Sequence, residues 1–207
     1  MNKFKSPIGV IFLFFLIPST VSAGGSLSAT RTQMRFSDTD FILNGNLLRF
    51  DSGNVEGAQL DFRYQFNNGL SVGASLNVSD WDIDYDQASS YGGDANVYQR
   101  LAVGQMNFLP KRVVQPLIGV SIGQMEVSVH SATSVRLTGI TRSFYGGFEV
   151  RPRRKLGLEF KYQRSYADLD DVSGNEMKTN YAMLSASVKV YFSSRVKNND
   201  SWNPVLD

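Results

Sequence analysis

Leu70, Val72, Ala74, Leu76 and Val78 alternate with Ser71, Gly73, Ser75, Asn77 and Ser79. A period of two puts the apolar side chains on one face of an extended strand and the small polar ones on the other. A soluble sheet would turn that apolar face to a core. A membrane barrel turns it to lipid and keeps polar groups inside. The pattern recurs along the chain, and its polar face repeatedly carries charge, which favours the barrel.

The repeats can be placed one by one. Gly57 to Phe66 alternates Ala58, Leu60, Phe62, Tyr64 and Phe66 with Gln59, Asp61, Arg63 and Gln65, and Asn67-Asn68-Gly69 supplies a tight turn. The strand opened by Leu70 runs to about Ile83, followed by a polar loop from Tyr85 to Ala95. Val97 to Phe108 and Leu117 to Val129 flank a turn at Leu109-Pro110-Lys111-Arg112, and a polar link covers Ser131 to Ser134. Ile140 to Arg151 and the strand from Leu156 flank the turn at Pro152 to Lys155. A long polar loop is expected over Asp168 to Lys178, and Asn180 to Phe192 closes the series. These seven strands have connectors alternating short and long. An even strand count requires an eighth before Gly57. Ser26 to Phe36 is the candidate, with Ser37 to Glu56 as a loop, while Phe41 to Phe50 is the competing segment. The fold expected is all-β: an eight-stranded antiparallel up-and-down transmembrane β-barrel over residues 24–192.

Two strands break the alternation. The apolar face of Leu117 to Val129 passes from Ile118, Val120 and Ile122 to Met125, Val127 and Val129. A bulge near Gly123 would account for the slip, and another near Gly104 and Gln105 for a similar change.

The chain begins with Lys3 and Lys5, an apolar run from Ile8 to Ile17, Pro18, and then Val21-Ser22-Ala23. This is the layout of a secretory signal peptide over residues 1–23, and the run is too short to span a bilayer as a helix. The net charge of +2 equals the two leader lysines, so the mature chain is neutral and its composition gives no reason to expect nucleic-acid binding. No cysteine is present for a disulfide or lipid anchor.

Asp61, Arg63, Glu149, Arg151, Glu159, Lys161 and Lys189 all fall on the polar parity. Eight strands leave a lumen just wide enough for side chains to fill, so charges of both signs there would pair and plug it. A narrow ion path through rearranged pairs is the alternative. Aromatic girdles are expected from Phe62, Tyr64, Phe66, Phe108, Phe148, Tyr191 and Phe192 at the short-turn end, and from Trp81, Tyr145, Tyr162 and Tyr166 at the loop end. Tyr145 and Tyr191 carry the inward parity and are alternatively lumen caps.

His130, the one histidine, shares a parity with Ser128 and Glu126, the residue types of an ester-cleaving triad. The inferred parity turns them inward, away from a lipid substrate, and no catalytic residue is assigned. One histidine and no cysteine give no transition-metal donor set, and no cofactor is expected. The acidic residues Asp80, Asp82, Asp84 and Asp86, with Asp168, Asp170 and Asp171, read as solvated loop positions; calcium binding is the alternative.

On these residues the chain resembles the small outer-membrane β-barrel family typified by the barrel of outer membrane protein A. The segments that carry the likeness are Phe62 to Val72, Leu156 to Tyr162 with Tyr166 to Asp171, and Tyr181 to Phe192. The resemblance implies an assembly signal in the closing strand, with Tyr181, Val190 and Phe192, read by the barrel-insertion machinery. It also implies a monomer in contact with outer-membrane lipid and lipopolysaccharide, with both termini in the periplasm. In place of the usual terminal aromatic, residues 193–207 form a polar tail too short for a peptidoglycan-binding domain. Three functions stay open: a structural or surface-interaction barrel, a small porin-like conduit, and a lipid hydrolase.

Overall fold

The alternating stretches fold as strands in a computed structural model that describes residues 24–37, 39–43, 46–50, 54–66, 68–83, 93–110, 112–130, 135–153, 155–174 and 176–193. The expected signal peptide and the tail after Ser193 lie outside these residues. In chain order the strands are β1 (Gly24–Phe36), β2 (Thr39–Leu43), β3 (Asn46–Phe50), β4 (Asn54–Gln65) and β5 (Leu70–Ile83). They continue with β6 (Gly93–Asn107), β7 (Val114–His130), β8 (Val135–Arg153), β9 (Leu156–Asp170) and β10 (Glu176–Ser193). Eight of them close an antiparallel barrel in the order β1-β10-β9-β8-β7-β6-β5-β4. The first wall strand contains Ser26 to Phe36, and the competing segment forms its own hairpin, β2 with β3. β4 begins at Asn54, so the loop expected over Ser37 to Glu56 is shorter and holds this hairpin.

Partner register links all eight strands. From Arg35 the row passes through Ala182, Arg164, Phe144, Val120, Gly104, Val72 and Tyr64, and returns to β1 at Gly25, ten residues from its start. That stagger tilts the strands against the barrel axis, as closure of a sheet requires. The tight turns carry matching chemistry. Gly69 adopts φ 88°, and an added Cβ there would lie 2.2 Å from the Asn107 carbonyl oxygen. The Gln115 amide donates to the carbonyls of Pro110 and Arg112 at 3.0 and 2.9 Å, fixing the β6–β7 turn.

Side chains sort by parity into two environments. Leu60, Phe62, Val120, Phe144 and Val188 are half exposed or more on the outer face, while Ser28, Asp61, Asn77, Gln105 and Glu159 are buried inside. A contiguous apolar belt of this extent is not left against water. It faces lipid.

The wall is taller than such a belt. β8 has nineteen residues, against the roughly 9–11 that cross a bilayer. Beyond the lipid the environments exchange. Outward positions become Gln124 and Glu126, and inward ones become Met34, Phe36, Val55, Val97, Met125, Val127, Leu137 and Leu169, packed as one buried apolar cluster.

This exchange corrects two expectations. Pairing of β7 with both neighbours runs unbroken through Gly123, and that of β6 through Gly104 and Gln105, so neither bulge exists. Met125 and Val127 keep the inward parity of Gly119 and Ser121, because water rather than lipid surrounds the wall at that height. Among the described residues the one register shift lies elsewhere, between Val150 and Arg153 against β9. For the same reason Asp168 to Lys178 is not a long loop. β9 continues to Asp170 and β10 starts at Glu176, with Leu169 and Met177 buried inside and a turn containing Gly174 at φ 82° between them.

Candidate functional site: the lumen

β4 contributes Asp61 and Arg63, β8 Glu149 and Arg151, β9 Glu159 and Lys161, and β10 Lys189, all turned into the lumen near the short-turn end. Four cations face three carboxylates. The Arg63 guanidinium lies 3.2 Å from both Asp61 and Glu159, and Lys161 lies 2.9 Å from Glu159 and 3.8 Å from Asp61. Lys189 pairs with Glu159 and, at 3.1 Å, with Glu149, which Arg151 also approaches to 3.1 Å. Each carboxylate therefore meets at least two cations. Such multiple pairing offsets the desolvation of charges buried this deeply.

Neutral side chains complete the cluster, and of these the sequence pointed only to Tyr191, by its inward parity. Ser28 and Gln59 donate to Asp61 at 3.1 and 2.7 Å. Gln105 accepts from Arg63 and donates to Glu159 at 3.1 Å, and Asn107 donates to Glu149 at 3.0 Å. The Tyr191 hydroxyl donates to Glu149, and the Arg151 guanidinium stacks 3.7 Å above the Tyr191 ring. Their signal was available, since Gln105, Asn107 and Gln59 stand on the same parity as the charges.

Tyr145 closes the cluster from above. Its hydroxyl donates to the Gly104 carbonyl at 3.3 Å, and its ring covers Gly119, where an added Cβ would come within 2.2 Å of the ring. Tyr145 thus belongs to the lumen and not to the loop-end girdle, and Tyr191 likewise faces inward. On the outer surface Tyr98, Tyr162 and Tyr166 are exposed toward the loop end.

Higher in the lumen the chemistry becomes milder. Gln163 donates to Ser143 and Ser165 at 3.1 and 3.0 Å, and the two serine hydroxyls lie 2.8 Å apart. Above them the Tyr181 hydroxyl receives a hydrogen bond from Gln99 at 2.7 Å and lies 2.9 Å from the Thr141 hydroxyl. Its ring meets Phe36 at 5.1 Å, and the apolar cluster begins there. From the short-turn end upward the interior is ionic, then hydroxyl and amide, then apolar.

Ser128 and Glu126 are not lumenal. Glu126 and Ser128 take the outward parity of Gln124, a correction with the same cause as the missing bulge. The Ser128 hydroxyl donates to Glu126 at 3.4 Å, and Arg136 holds the same carboxylate at 2.7 Å, which keeps it below the ordinary glutamate pKa. His130 pairs with Asp94 through the backbone, and its side chain is not among those described. Asp80, Asp168 and Asp170 lie exposed on strands, whereas Asp84 and Asp86 fall outside the described residues. Val190 and Phe192 face outward at the short-turn end, while Tyr181 sits inside near the opposite end.

This closed wall of eight antiparallel strands with an apolar exterior is the fold of the small eight-stranded outer-membrane β-barrels. Neisserial surface protein A superposes with a TM-score of 0.59 at 16% identity over 81% of this chain and 97% of its own. The outer membrane protein AlkL gives 0.58 at 12% identity over 95% and 99%. OprG of Pseudomonas aeruginosa gives 0.56 at 14% over 84% and 98%. At these identities the likeness is one of fold. No protein-family model and no curated protein matches the sequence.

Proposed function

We propose that the protein is a monomeric outer-membrane barrel with a closed lumen, a scaffold that holds its loop end at the cell surface for interaction. The carrying observation is the double closure of the interior. A multiply paired ionic cluster fills the short-turn half, and an apolar core of Met, Val, Leu and Phe side chains fills the loop half. A hydrated path would have to breach both. In this reading the short turns and both wall termini face the periplasm, and the exposed Val190 and Phe192 form the assembly signal met by the insertion machinery.

Planar-bilayer recordings test the closed lumen. The purified barrel is expected to insert without step conductance. Reproducible steps that change size in Arg63→Gln or Glu159→Gln would overturn it in favour of a narrow ion conduit. The scaffold reading also contains no hydrolytic step, so Ser128→Ala is expected to leave the lipid A profile of the host unchanged. A lipid modification lost in that variant would overturn this part.

A further inference from the structure

Between the ionic cluster and the apolar core lies a layer of the lumen whose polar groups the protein itself does not satisfy. The hydroxyls of Thr30, Thr32, Ser121 and Ser185 and the Gln59 Oε1 atom have no hydrogen-bond partner among the described residues. All five side chains are buried, with no more than 6% of any residue exposed.

Register puts them at one level. Thr32 pairs with Ser185, and Thr30 with Gln59, across neighbouring strands. From Thr32 the row runs through Ser185, Lys161 and Gly147 to Leu117 on β7, half way round the wall. Half of the ten-residue stagger moves the level five residues toward the loop end, to Ile122. The inward Ser121 beside it therefore stands opposite Thr30 and Thr32.

The layer is bounded below and above. Lys161, Asp61 and Tyr145 form its floor. Its ceiling is the Tyr181 hydroxyl bonded by Gln99, with the Met183 and Met125 sulfurs accepting from the Asn77 and Gln99 amides at 3.7 Å. The same eight strands enclose every layer. Where Thr30, Thr32, Ser121, Ser143 and Ser185 replace the long side chains of floor and ceiling, they leave room about the axis.

We infer that this layer is a sealed chamber of ordered water. Buried polar atoms are seldom left unpaired, and a polar space of this kind takes up water. The chemistry of the lining calls for a small neutral ligand that both donates and accepts. Asp61, Glu159 and the Gln59 oxygen oppose an anion, while Arg63 and Lys161 oppose a cation. The Lys161 ammonium has three donors and meets two carboxylates, Glu159 and Asp61, so chamber water solvates its remaining side. The chamber rests on the closed lumen proposed above, and the two fail differently. An open conduit gives conductance steps, whereas a dry layer conducts nothing and holds no long-lived water.

The test places the barrel in phosphatidylcholine nanodiscs, confirms insertion by its β-sheet circular dichroism, and counts long-lived water by oxygen-17 relaxation dispersion. That nucleus reports water itself and not exchanging hydroxyl protons. The wild type is expected to hold at least about two such molecules, because a buried water makes about three hydrogen bonds. Ser121→Leu/Ser185→Leu fills the layer with branched side chains and should lose them. A wild type without long-lived water overturns the chamber, and so does an unchanged count in the double variant. Should that variant fail to insert, the isosteric Thr32→Val decides. Loss of a hydroxyl bonded to chamber water should lower the urea midpoint, and a midpoint equal to or above that of the wild type overturns the chamber.

Discussion

Arg63 and Glu159 are separated by 96 residues in the chain and by 3.2 Å in the lumen. The ion pair crosses the barrel interior from β4 to β9, which are not neighbours in the sheet. Contact between them depends on closure of the wall and on its radius, since eight strands leave only side-chain width between opposite faces. Arg63 also holds Asp61, so its removal leaves two buried carboxylates short of a cation. Arg63→Met is therefore expected to destabilise the barrel by about 3–5 kcal/mol, while the exposed Lys155→Met changes stability by less than about 0.5 kcal/mol. Urea unfolding in lipid vesicles measures both.

The exchange of inside and outside along β7 sets a second expectation. Ile118 faces lipid and Gln124 stands beyond it, three outward positions further along the same strand. Ile118→Lys should cost about 2–4 kcal/mol of folding free energy in bilayers, and Gln124→Lys about 0–1 kcal/mol. At the same level as Gln124 the inward Met125 is in the apolar core, and Met125→Ala should cost about 2–5 kcal/mol. Equal costs for the two lysine variants would contradict the placement of the lipid edge.

Tyr145 and Gly119 are direct register partners on β8 and β7. Gly119→Val puts methyl groups where the tyrosine ring lies, an overpacking worth about 1–3 kcal/mol of destabilisation. In a Tyr145→Ala background the same change should cost much less. A double-mutant cycle with no coupling between the two positions would show that the ring does not rest on Gly119.

Glu126 supplies a pH expectation outside the membrane span. Arg136 holds its carboxylate, and the Glu126 pKa is lowered in the folded state. A depressed carboxylate contributes stability above its unfolded pKa and loses it as pH falls through the folded value. The NMR titration midpoint of Glu126 should lie below the ordinary value of 4.5 and rise toward it in Arg136→Gln. The tie is surface-exposed, so added salt should shrink the difference.

Legibility in the sequence follows the solvent. The strand over Leu70–Ile83 can be read residue by residue, because Leu70 to Val78 stays against lipid on one side and polar side chains on the other. The inward charges could be read for the same reason. Beyond the lipid the period of two persists but the chemistry of the faces reverses. A pattern detector then reports a slip at Gly123 and a loop over Asp168 to Lys178 where the strand in fact continues. Gln105 and Asn107 escaped notice because a neutral amide advertises no partner, and only the assembled barrel brings it to Arg63, Glu159 or Glu149.

The lumenal ion pairs also bear on how the barrel comes together. Asp61 and Arg63 enter on β4, early in the wall, whereas Glu159, Lys161 and Lys189 arrive on β9 and β10. A growing sheet that has paired only its first strands holds Arg63 without Glu159. The cluster satisfies itself only when β10 meets β1 and the ring shuts. Partly closed sheets hold Asp61–Arg63, Glu149–Arg151 and Glu159–Lys161 as pairs within single strands, and the finished ring alone adds the contacts from β4 to β9. Closure thus turns separate within-strand pairs into one cluster that ties the first strands of the wall to the last.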